Sequence, residues 1–291
     1  MKKSNISAHA VPLGAGQFFG ATRGQFRTGE FVVTTVTHSQ SRVVPMHVHA
    51  NPFFSMLING GYREWFGREH WDARPLAMVL RPPQAEHHDE IGPGGAVFLC
   101  VDVAQKFWDA MASADIRLER RAFDSRPMSC SALRLLREMI DRRPGWPSAA
   151  ESLIAELIEE YTRDPVEPRR REPRWLRRAL ERLHAEPFTA NLGSIAMELD
   201  LHPVHVTRIF KRHLGVTLSS YLRQLRLHHA TRALLESTEP LATLADSHGF
   251  ADQSHLTRAL NRGTGWTPGR LRCACERLRS QQEGPAQERA A

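Results

Sequence analysis

The sequence predicts a multidomain α+β chain, with an N-terminal all-β domain, a helical hairpin and a C-terminal all-α domain. Two observations lead to this prediction. Residues 29–103 contain short β-branched and aromatic runs separated by Gly- and Pro-rich segments, which is typical of a β-barrel or β-sandwich. Beyond residue 173 nearly every segment carries apolar residues at helical spacing. The 291 residues leave room for about two domains of ordinary size.

The predicted β domain is divided by turn residues. Its strand-like runs are residues 31–37, 53–58, 76–80 and 96–103. Residues 59–61, Asn-Gly-Gly, have the composition of a hairpin turn, and the Gly- and Pro-rich residues 92–95 separate the last two runs. Residues 104–114 predict a helix, so we place the β domain at residues 1–115.

Residues 116–163 predict an antiparallel helical hairpin. Its two segments, 131–142 and 149–163, each carry apolar residues on one helical face. That face either packs against the β domain or forms a dimer interface, and the sequence leaves both alternatives open. Residues 164–173 contain three prolines and a run of charges, which predicts an exposed linker. The polar residues 280–291 predict a flexible tail.

Charge is distributed unevenly along the chain. Residues 1–164 contain 19 Lys and Arg and 19 Asp and Glu, whereas residues 165–291 contain 20 and 13. The formal net charge of +7 therefore belongs to the C-terminal part. A basic domain beside a neutral one indicates a polyanionic partner on one side only, and the small excess disfavours a non-specific nucleic-acid binder.

The expected location is cytoplasmic. No run of about 18 apolar residues predicts a membrane span, and the first residues are mixed rather than an apolar signal segment. The chain has four cysteines, which form neither a C-x-x-C pair nor a disulfide-like framework: Cys100, Cys130, Cys273 and Cys275.

A duplicated segment organises the predicted helical domain, residues 174–279. Residues 205–217 align with residues 255–267 at an offset of fifty, with six identities in thirteen positions. In each copy the apolar residues have helical spacing, a Gly ends the helix, and a Thr can cap the next one. A shorter amphipathic helix and a tight turn precede each copy. Both copies therefore predict helix-turn-helix units.

The second helix of such a unit can lie in the major groove of DNA. Its outward polar residues can then meet base edges, whereas Arg212 and Arg262 lie further round and suit phosphates. A single helix over residues 217–236, about 30 Å long, would hold the two recognition helices about one turn of B-DNA apart. The predicted DNA-binding residues are Val204, His205, Thr207, Arg208, Lys211, Arg212, Gln253, Ser254, Thr257, Arg258, Asn261 and Arg262.

The second unit carries a specific motif. Residues 249–258, followed by Gly265 and Thr267-Pro268, resemble the signature of the AraC-type (arabinose-regulator) transcription factors. The resemblance covers about residues 173–273. It implies a sequence-specific regulator of double-stranded promoter DNA, often a homodimer on paired sites, and an activator would also contact RNA polymerase. The matching residues of the first unit are His202, Pro203, Val206, Arg208, Phe210 and Gly215.

Three positions depart from the family pattern. Leu260 stands where the family usually has Phe, Asn261 where it usually has Lys, and Leu271 where an aromatic residue is common. We expect Leu260 to loosen the core of the second unit slightly and Asn261 to remove one phosphate contact. The second unit is therefore expected to bind DNA more weakly than the first.

The β domain contains histidines at ligand spacing. His47 and His49 take alternate positions of a predicted strand, so both side chains point to one face. Together with Gly60 and the Pro-x-x-Ala-x-His stretch at residues 82–87, they resemble a cupin, a sensor fold that commonly precedes AraC-type domains. Phe53 stands where the cupin metal site has Glu. Three alternatives follow: a metal site with a substitute ligand, such as Glu86 or His88, a metal-free small-molecule pocket, or structural histidines.

These observations predict a ligand-responsive transcriptional regulator rather than an enzyme. An unknown small-molecule effector is expected in the barrel, with no required cofactor and a possible divalent metal held by His47, His49 and His87. The alternative is a cupin-type metalloenzyme with an appended helical domain. The predicted effector-binding residues are His47, His49, Phe53, His87 and His88.

Overall fold

The computed structural model describes residues 10–113, 121–123, 130–162 and 173–280. In these residues a curled, strand-rich N-terminal part is followed by a helical C-terminal part, as the sequence predicts. Apart from Pro173 and Ser280, the predicted linker and tail lie outside the described residues.

The curled sheet is built around one long strand. Its strands are β1 (Val11–Leu13), β2 (Ala21–Thr28), β3 (Phe31–His38), β4 (Arg42–His49), β5 (Phe53–Phe66), β6 (Glu69–Ala73), β7 (Met78–Arg81), β8 (His87–Val103) and β9 (Arg121–Phe123). β8 pairs with β5 along one edge and with β4 and then β3 along the other. β5 pairs in turn with β6 and β7, so the two longest strands hold the sheet together.

Two predicted turns lie inside these long strands. Residues 59–61 belong to β5 and residues 92–95 to β8, so the prediction of a hairpin turn and of a separating loop was wrong. The pairing register shifts between Leu57 and Asn59 and between Gly60 and Tyr62, which marks bulges rather than a reversal. A Cβ at Gly60 would lie 2.1 Å from the Gly95 carbonyl oxygen. Glycine is needed here for a close approach of two strands.

Both faces of the sheet are buried along its central strands, β3, β5 and β8. Along β5, Phe54, Met56 and Ile58 pack into one core, whereas Leu57 packs into a second core on the opposite face. β8 alternates in the same way, because successive side chains of a strand point to opposite faces. This explains why the strand sequences are continuous apolar runs. The core that contains Leu57 surrounds the pocket described below, and the core that contains Phe54 faces the helices.

The described helices are α1 (Gln105–Ser113), α2 (Cys130–Asp141), α3 (Trp146–Thr162), α4 (Arg174–Ala185), α5 (Leu192–Glu198), α6 (Pro203–Leu214), α7 (Leu218–Glu236), α8 (Leu241–Ser247), α9 (Gln253–Thr264) and α10 (Pro268–Ser280). α2 and α3 form the predicted hairpin and bury their apolar faces within the chain. The boundary at residue 115 needs correction, because β9 pairs with β7 and so extends the sheet into the segment assigned to the hairpin.

The long helix α7 belongs to two cores. Leu218, Leu222 and Leu225 pack with α4, α5 and α6 in the first-unit core. Leu227 and Leu234, further along α7, pack in a separate core with β5, β8, α2, α3, α8, α9 and α10. We call the latter the shared core. The sheet and the second helix-turn-helix unit are therefore packed together, while the first unit has its own core.

Candidate nucleic-acid interface and candidate ligand pocket

The first helix-turn-helix unit consists of α5 and α6. A capping box between Asn191 and Ser194 begins α5. The turn places Asp200 at φ +52°, and Pro203 opens α6 where a missing N–H group costs nothing. Val206 and Phe210 are fully buried and anchor one face of α6, so the opposite face is left for solvent.

The second unit, α8 and α9, repeats this design with different residues. The Asp252 carboxylate accepts a hydrogen bond from the His255 N–H at 2.6 Å and caps α9, as predicted. Leu256 and Leu260 are buried in the shared core, so this face of α9 points inward. Gly265 ends α9 at φ +73°, the left-handed conformation that favours glycine.

The predicted DNA-binding residues lie on the outer faces of α6 and α9. His205, Thr207 and Thr257 are half-buried at the edges of these faces. An Arg208 guanidinium nitrogen lies 3.3 Å from Nδ1 of His205, one helical turn away. The exposed members are Val204, Arg208, Lys211, Arg212, Gln253, Ser254, Arg258, Asn261 and Arg262. Each unit therefore presents an accessible polar surface on its second helix.

The inner face of the second unit is docked on the helical hairpin. Trp266, which follows α9, is almost fully buried, and its Nε1 donates to the Leu133 carbonyl of α2 at 2.8 Å. Arg137 of α2 donates to the Gly265 carbonyl at 3.2 Å. At the edge of the contact, Arg270 and Asp141 form an ion pair at 2.9 Å. No local pattern predicts this docking, because it depends on residues more than a hundred positions apart.

The end of α7 is held by the curled sheet. The buried Asn59 side chain of β5 donates to the Leu235 carbonyl at 2.8 Å. This carbonyl is one of the last four of the helix, which have no partner within it. Arg232 donates to the Pro75 carbonyl at 3.1 Å, and Arg74 pairs with Glu236 at 2.8 Å. The sheet thus supplies a C-terminal cap for the helix between the two units.

A pocket opens on the inner face of the curled sheet. It brings together the predicted residues His47, His49, Phe53 and His87, all of them buried. The imidazole rings of His47 and His87 lie 4.1 Å apart between centroids, and those of His47 and His49 lie 5.2 Å apart. One ring nitrogen from each of His47, His49 and His87 can be chosen so that the three atoms all lie within 4.8 Å of one another. The spacing prediction for His47 and His49 is confirmed.

Backbone carbonyls orient two of the three imidazoles. Nδ1 of His47 lies 2.8 Å from the Pro45 carbonyl, and Nδ1 of His87 lies 3.0 Å from the Ala85 carbonyl. Because a carbonyl only accepts, each Nδ1 carries the proton and each Nε2 keeps its lone pair. Burial lowers the pKa of His47 to about 4 and those of His49 and His87 well below their usual value. The three imidazoles are therefore neutral near pH 7.

A buried ionic network lies beside the histidines. Arg81 donates to the Glu64 carboxylate and, at 2.8 Å, to the Tyr62 hydroxyl, which donates to Asp89 at 2.8 Å. Burial alone lowers the pKa of Arg81, but Glu64 raises it overall, so the guanidinium stays charged. Burial, reinforced by Glu64, raises the pKa of Asp89 to about 7. Asp89 reaches to 3.8 Å from Nε2 of His47 and so connects the network to the histidines.

Sequence reasoning missed the charged residues of the pocket and misplaced one histidine. His88 stacks on Trp65 at 5.7 Å on the other side of β8, because neighbouring strand residues alternate. It does not line the pocket, and its prediction as an effector-binding residue was wrong. Among the described residues, the carboxylates grouped with His87 are Glu64 and Asp89 rather than Glu86. Alternation from His87 could have identified Asp89, whereas Glu64 and Arg81 depend on strand pairing.

The cavity is small. Its volume of about 40 Å³ leaves room for a metal ion and a few water molecules but not for a drug-sized ligand. Aromatic side chains line part of its wall, with Phe18 at 5.0 Å from His49 and Phe19 at 5.2 Å from His47 between ring centroids. Both come from the segment between β1 and β2.

Comparison with known proteins decides the family. A family described as helix-turn-helix domain matches residues 195–274. YobQ of Bacillus subtilis, an uncharacterised HTH-type transcriptional regulator, is 34% identical over 232 residues, which cover 78% of this chain and 88% of YobQ. The chain belongs to the AraC-type family of helix-turn-helix transcriptional regulators. The alignment with YobQ is much longer than the two units, so the similarity extends beyond them.

Other similarities are more limited. The arabinose operon regulatory protein of Escherichia coli is 28% identical over 93 residues, about a third (32%) of each chain. The crystal structure of ToxT from Vibrio cholerae superposes on 86% of this chain and 98% of its own, with 9% identity and a TM-score of 0.33. In the part of the chain that the structure describes, no helix is long and apolar enough to cross a membrane.

Proposed function

We propose that this member of the family binds promoter DNA through α6 and α9, and that a ligand in the pocket of the curled sheet controls this binding. The observation that carries the first half is the pair of accessible polar faces on helices whose other faces are buried. Arg can bond guanine bidentately, and Gln or Asn can bond adenine. Arg208 and Gln253 are therefore proposed to contact bases, and Arg212 and Arg262 to contact phosphates.

The two faces of the sheet support the second half of the proposal. In β5, Phe53 and Ser55 line the pocket, while Phe54 and Met56 lie in the shared core with the second unit. A ligand that displaces the strand therefore changes the packing of the second recognition helix. Control of this kind requires the ligand to bind the two arrangements with unequal affinity.

The DNA proposal is tested with the full chain and fragments from upstream of its own and neighbouring genes. We expect one or a few fragments to bind more tightly than the rest at every salt concentration, because base contacts persist when phosphate contacts are screened. Binding that falls equally for all fragments, without a preferred one, would refute sequence-specific recognition.

We further propose that the pocket ligand includes a divalent transition metal. Two imidazoles are already oriented by carbonyls so that Nε2 is free to coordinate, which is the usual arrangement around a metal. Imidazole ligands suit Zn, Cu, Fe and Ni. His47, His49 and His87 would hold the ion, and Asp89 supplies a nearby carboxylate in place of the expected Glu. The bound ion would act as a Lewis acid for a small ligand.

Metal content of the purified full chain tests this second proposal, with Zn²⁺ and Ni²⁺ as probes. We expect about one ion per chain, lost in His47→Ala and retained in the control His88→Ala, whose side chain lies outside the pocket. A chain that takes up neither metal, or a His47→Ala variant that retains it, would contradict the proposal.

A homodimer on paired sites, with RNA polymerase as a further partner of an activator, completes the proposed function. The apolar faces of α2 and α3 are buried within one chain, so two copies would pair through another surface. Sedimentation equilibrium of the full chain, alone and on DNA, tests the pairing. A chain that stays monomeric on a paired site would refute it.

A further inference from the structure

The two helix-turn-helix units are cross-braced beside the long helix that joins them. The loop of residues 186–191, before α5 in the first unit, meets the turn of residues 248–250 in the second unit. Both lie against the middle of α7. The residues that make this contact are Phe188, Arg226, His229, His248 and Gly249, and we call them the brace.

Arg226 ties α7 to the first unit. Its Nε donates to the Pro187 carbonyl at 2.8 Å, and Nη2 donates to the carbonyls of Phe188 and Ala190 at 3.2 Å each. A planar guanidinium reaches three carbonyls of one loop because its donors are arranged as a fork. The loop is thereby fixed in angle as well as in position relative to α7.

The same side chain lies against the second unit. A Cβ built at Gly249 would lie 3.4 Å from Cδ and Nε of Arg226, at ordinary van der Waals distance, so this turn lies next to the arginine. Gly249 also has φ +73°, which disfavours any side chain here. Glycine suits this position because of its backbone conformation, and the turn lies beside Arg226 without a clash.

An aromatic contact completes the brace. The ring of Phe188 lies 5.6 Å from that of His229 on α7 and 5.2 Å from that of His248 in the second unit, nearly perpendicular to both. Perpendicular rings at such distances attract through their quadrupoles. Nδ1 of His248 lies 2.8 Å from the Leu244 carbonyl, which holds the ring in place. Phe188 remains 38% exposed, so its position reflects these contacts rather than burial in a core.

We propose that Arg226 and Phe188 are positioning residues that fix the angle between α6 and α9. They thereby set the spacing between the two DNA segments that α6 and α9 of one chain contact, which we call half-sites. This rests on the proposed DNA binding. Two recognition helices on one face of DNA meet major grooves about 34 Å apart. One added base pair moves the second groove by about 3.4 Å and turns it by about 34°. A braced pair tolerates this poorly, whereas an unbraced pair adjusts by pivoting in α7.

The experiment uses full-length protein and a duplex selected by the wild type from a random-sequence pool. Footprinting marks the two half-sites, and duplexes with one base pair added or removed between them are then compared. The variants are Arg226→Lys, which keeps the charge without the fork, and Phe188→Ala. Arg223→Lys is the matched control, because Arg223 is exposed on the same helix. Thermal melts establish that each variant folds.

We expect the wild type and Arg223→Lys to lose about tenfold or more in affinity when the spacing changes by one base pair. Arg226→Lys and Phe188→Ala should lose only about two- to threefold, with unchanged affinity for a single half-site. An unaltered spacing profile in the folded variants overturns the brace. If Arg226→Lys does not fold, Phe188→Ala decides alone. A wild type that selects no sequence instead overturns the proposed function, so the two failures are distinguishable.

Discussion

Two single leucine substitutions in α7 test whether this helix belongs to two separate cores. Leu234 is 2% exposed and lies in the shared core, whereas Leu222 is 5% exposed and lies in the first-unit core. The substitution Leu→Ala at either position removes a buried side chain worth about 1.5–3 kcal/mol in transfer free energy and leaves a cavity. We expect each variant to lose about 3 kcal/mol of local stability.

Hydrogen–deuterium exchange of the full chain, followed by mass spectrometry, separates the two effects. Leu234→Ala should speed exchange about a hundredfold in β5, β8, α2 and α9 together, because these elements share one core. Leu222→Ala should speed exchange in α4, α5 and α6 and leave the sheet unchanged. If Leu234→Ala affects only the helices and β5 and β8 stay protected, the sheet and the second unit are separate folding units and the reasoning fails.

Three further predictions concern DNA binding and pH. Arg208→Ala should cost about 1–3 kcal/mol of binding free energy on a selected site, whereas Arg212→Ala should mainly reduce the slope of log affinity against log salt concentration by about one. Fluorescence anisotropy measures both quantities, and equal effects of the two substitutions on the slope would contradict these roles. Asn261→Lys adds a cation to the exposed face of α9 and should tighten binding to all sequences, and unchanged affinity would mean that this side chain does not approach DNA. Burial raises the pKa of Asp102 to about 7, so between about pH 4 and pH 7 the folded state binds more protons than the unfolded state. The free energy of unfolding therefore falls as the pH rises through this range. Denaturation of Asp102→Asn at several pH values should show a flatter profile and higher stability than the wild type at pH 8; parallel profiles would show that Asp102 does not cause the loss.

The sequence by itself was sufficient to predict the two helix-turn-helix units. Their helices depend on local signals, such as Pro203 at the start of α6, Asp252 before α9 and Gly265 after it. Apolar spacing then determined which face is buried, as Val206 and Phe210 show. These features depend on residues close together in the sequence, and the repeat at an offset of fifty then identified the two units as a pair.

The pocket was predictable only where strand alternation was the deciding factor. His47 and His49 share a face because they are two positions apart in one strand, and the pairing of β4 with β8 brings His87 opposite His47. Arg81 lies opposite Phe53 in the pairing of β7 with β5, whereas Glu64 lies opposite Asp89 further along β5. Arg81 and Glu64 meet because the sheet curls, which no local pattern specifies. Residues 59–61 have the local composition of a turn, but they form a bulge in β5 where Gly60 closely approaches Gly95 of the neighbouring strand. This approach also depends on strand pairing, so the local pattern was misleading.

Only the tertiary structure decided which parts of the chain are packed together. The hairpin sequence also left a dimer interface open, and its docking through Trp266 and Leu133 joins residues 133 positions apart. The brace between the two units likewise depends on Arg226 meeting a glycine turn from another helix pair. Helical periodicity determines that a face must be buried, but an apolar face fits many partners of similar shape. The partner is selected by packing and by hydrogen bonds between residues that are distant in sequence.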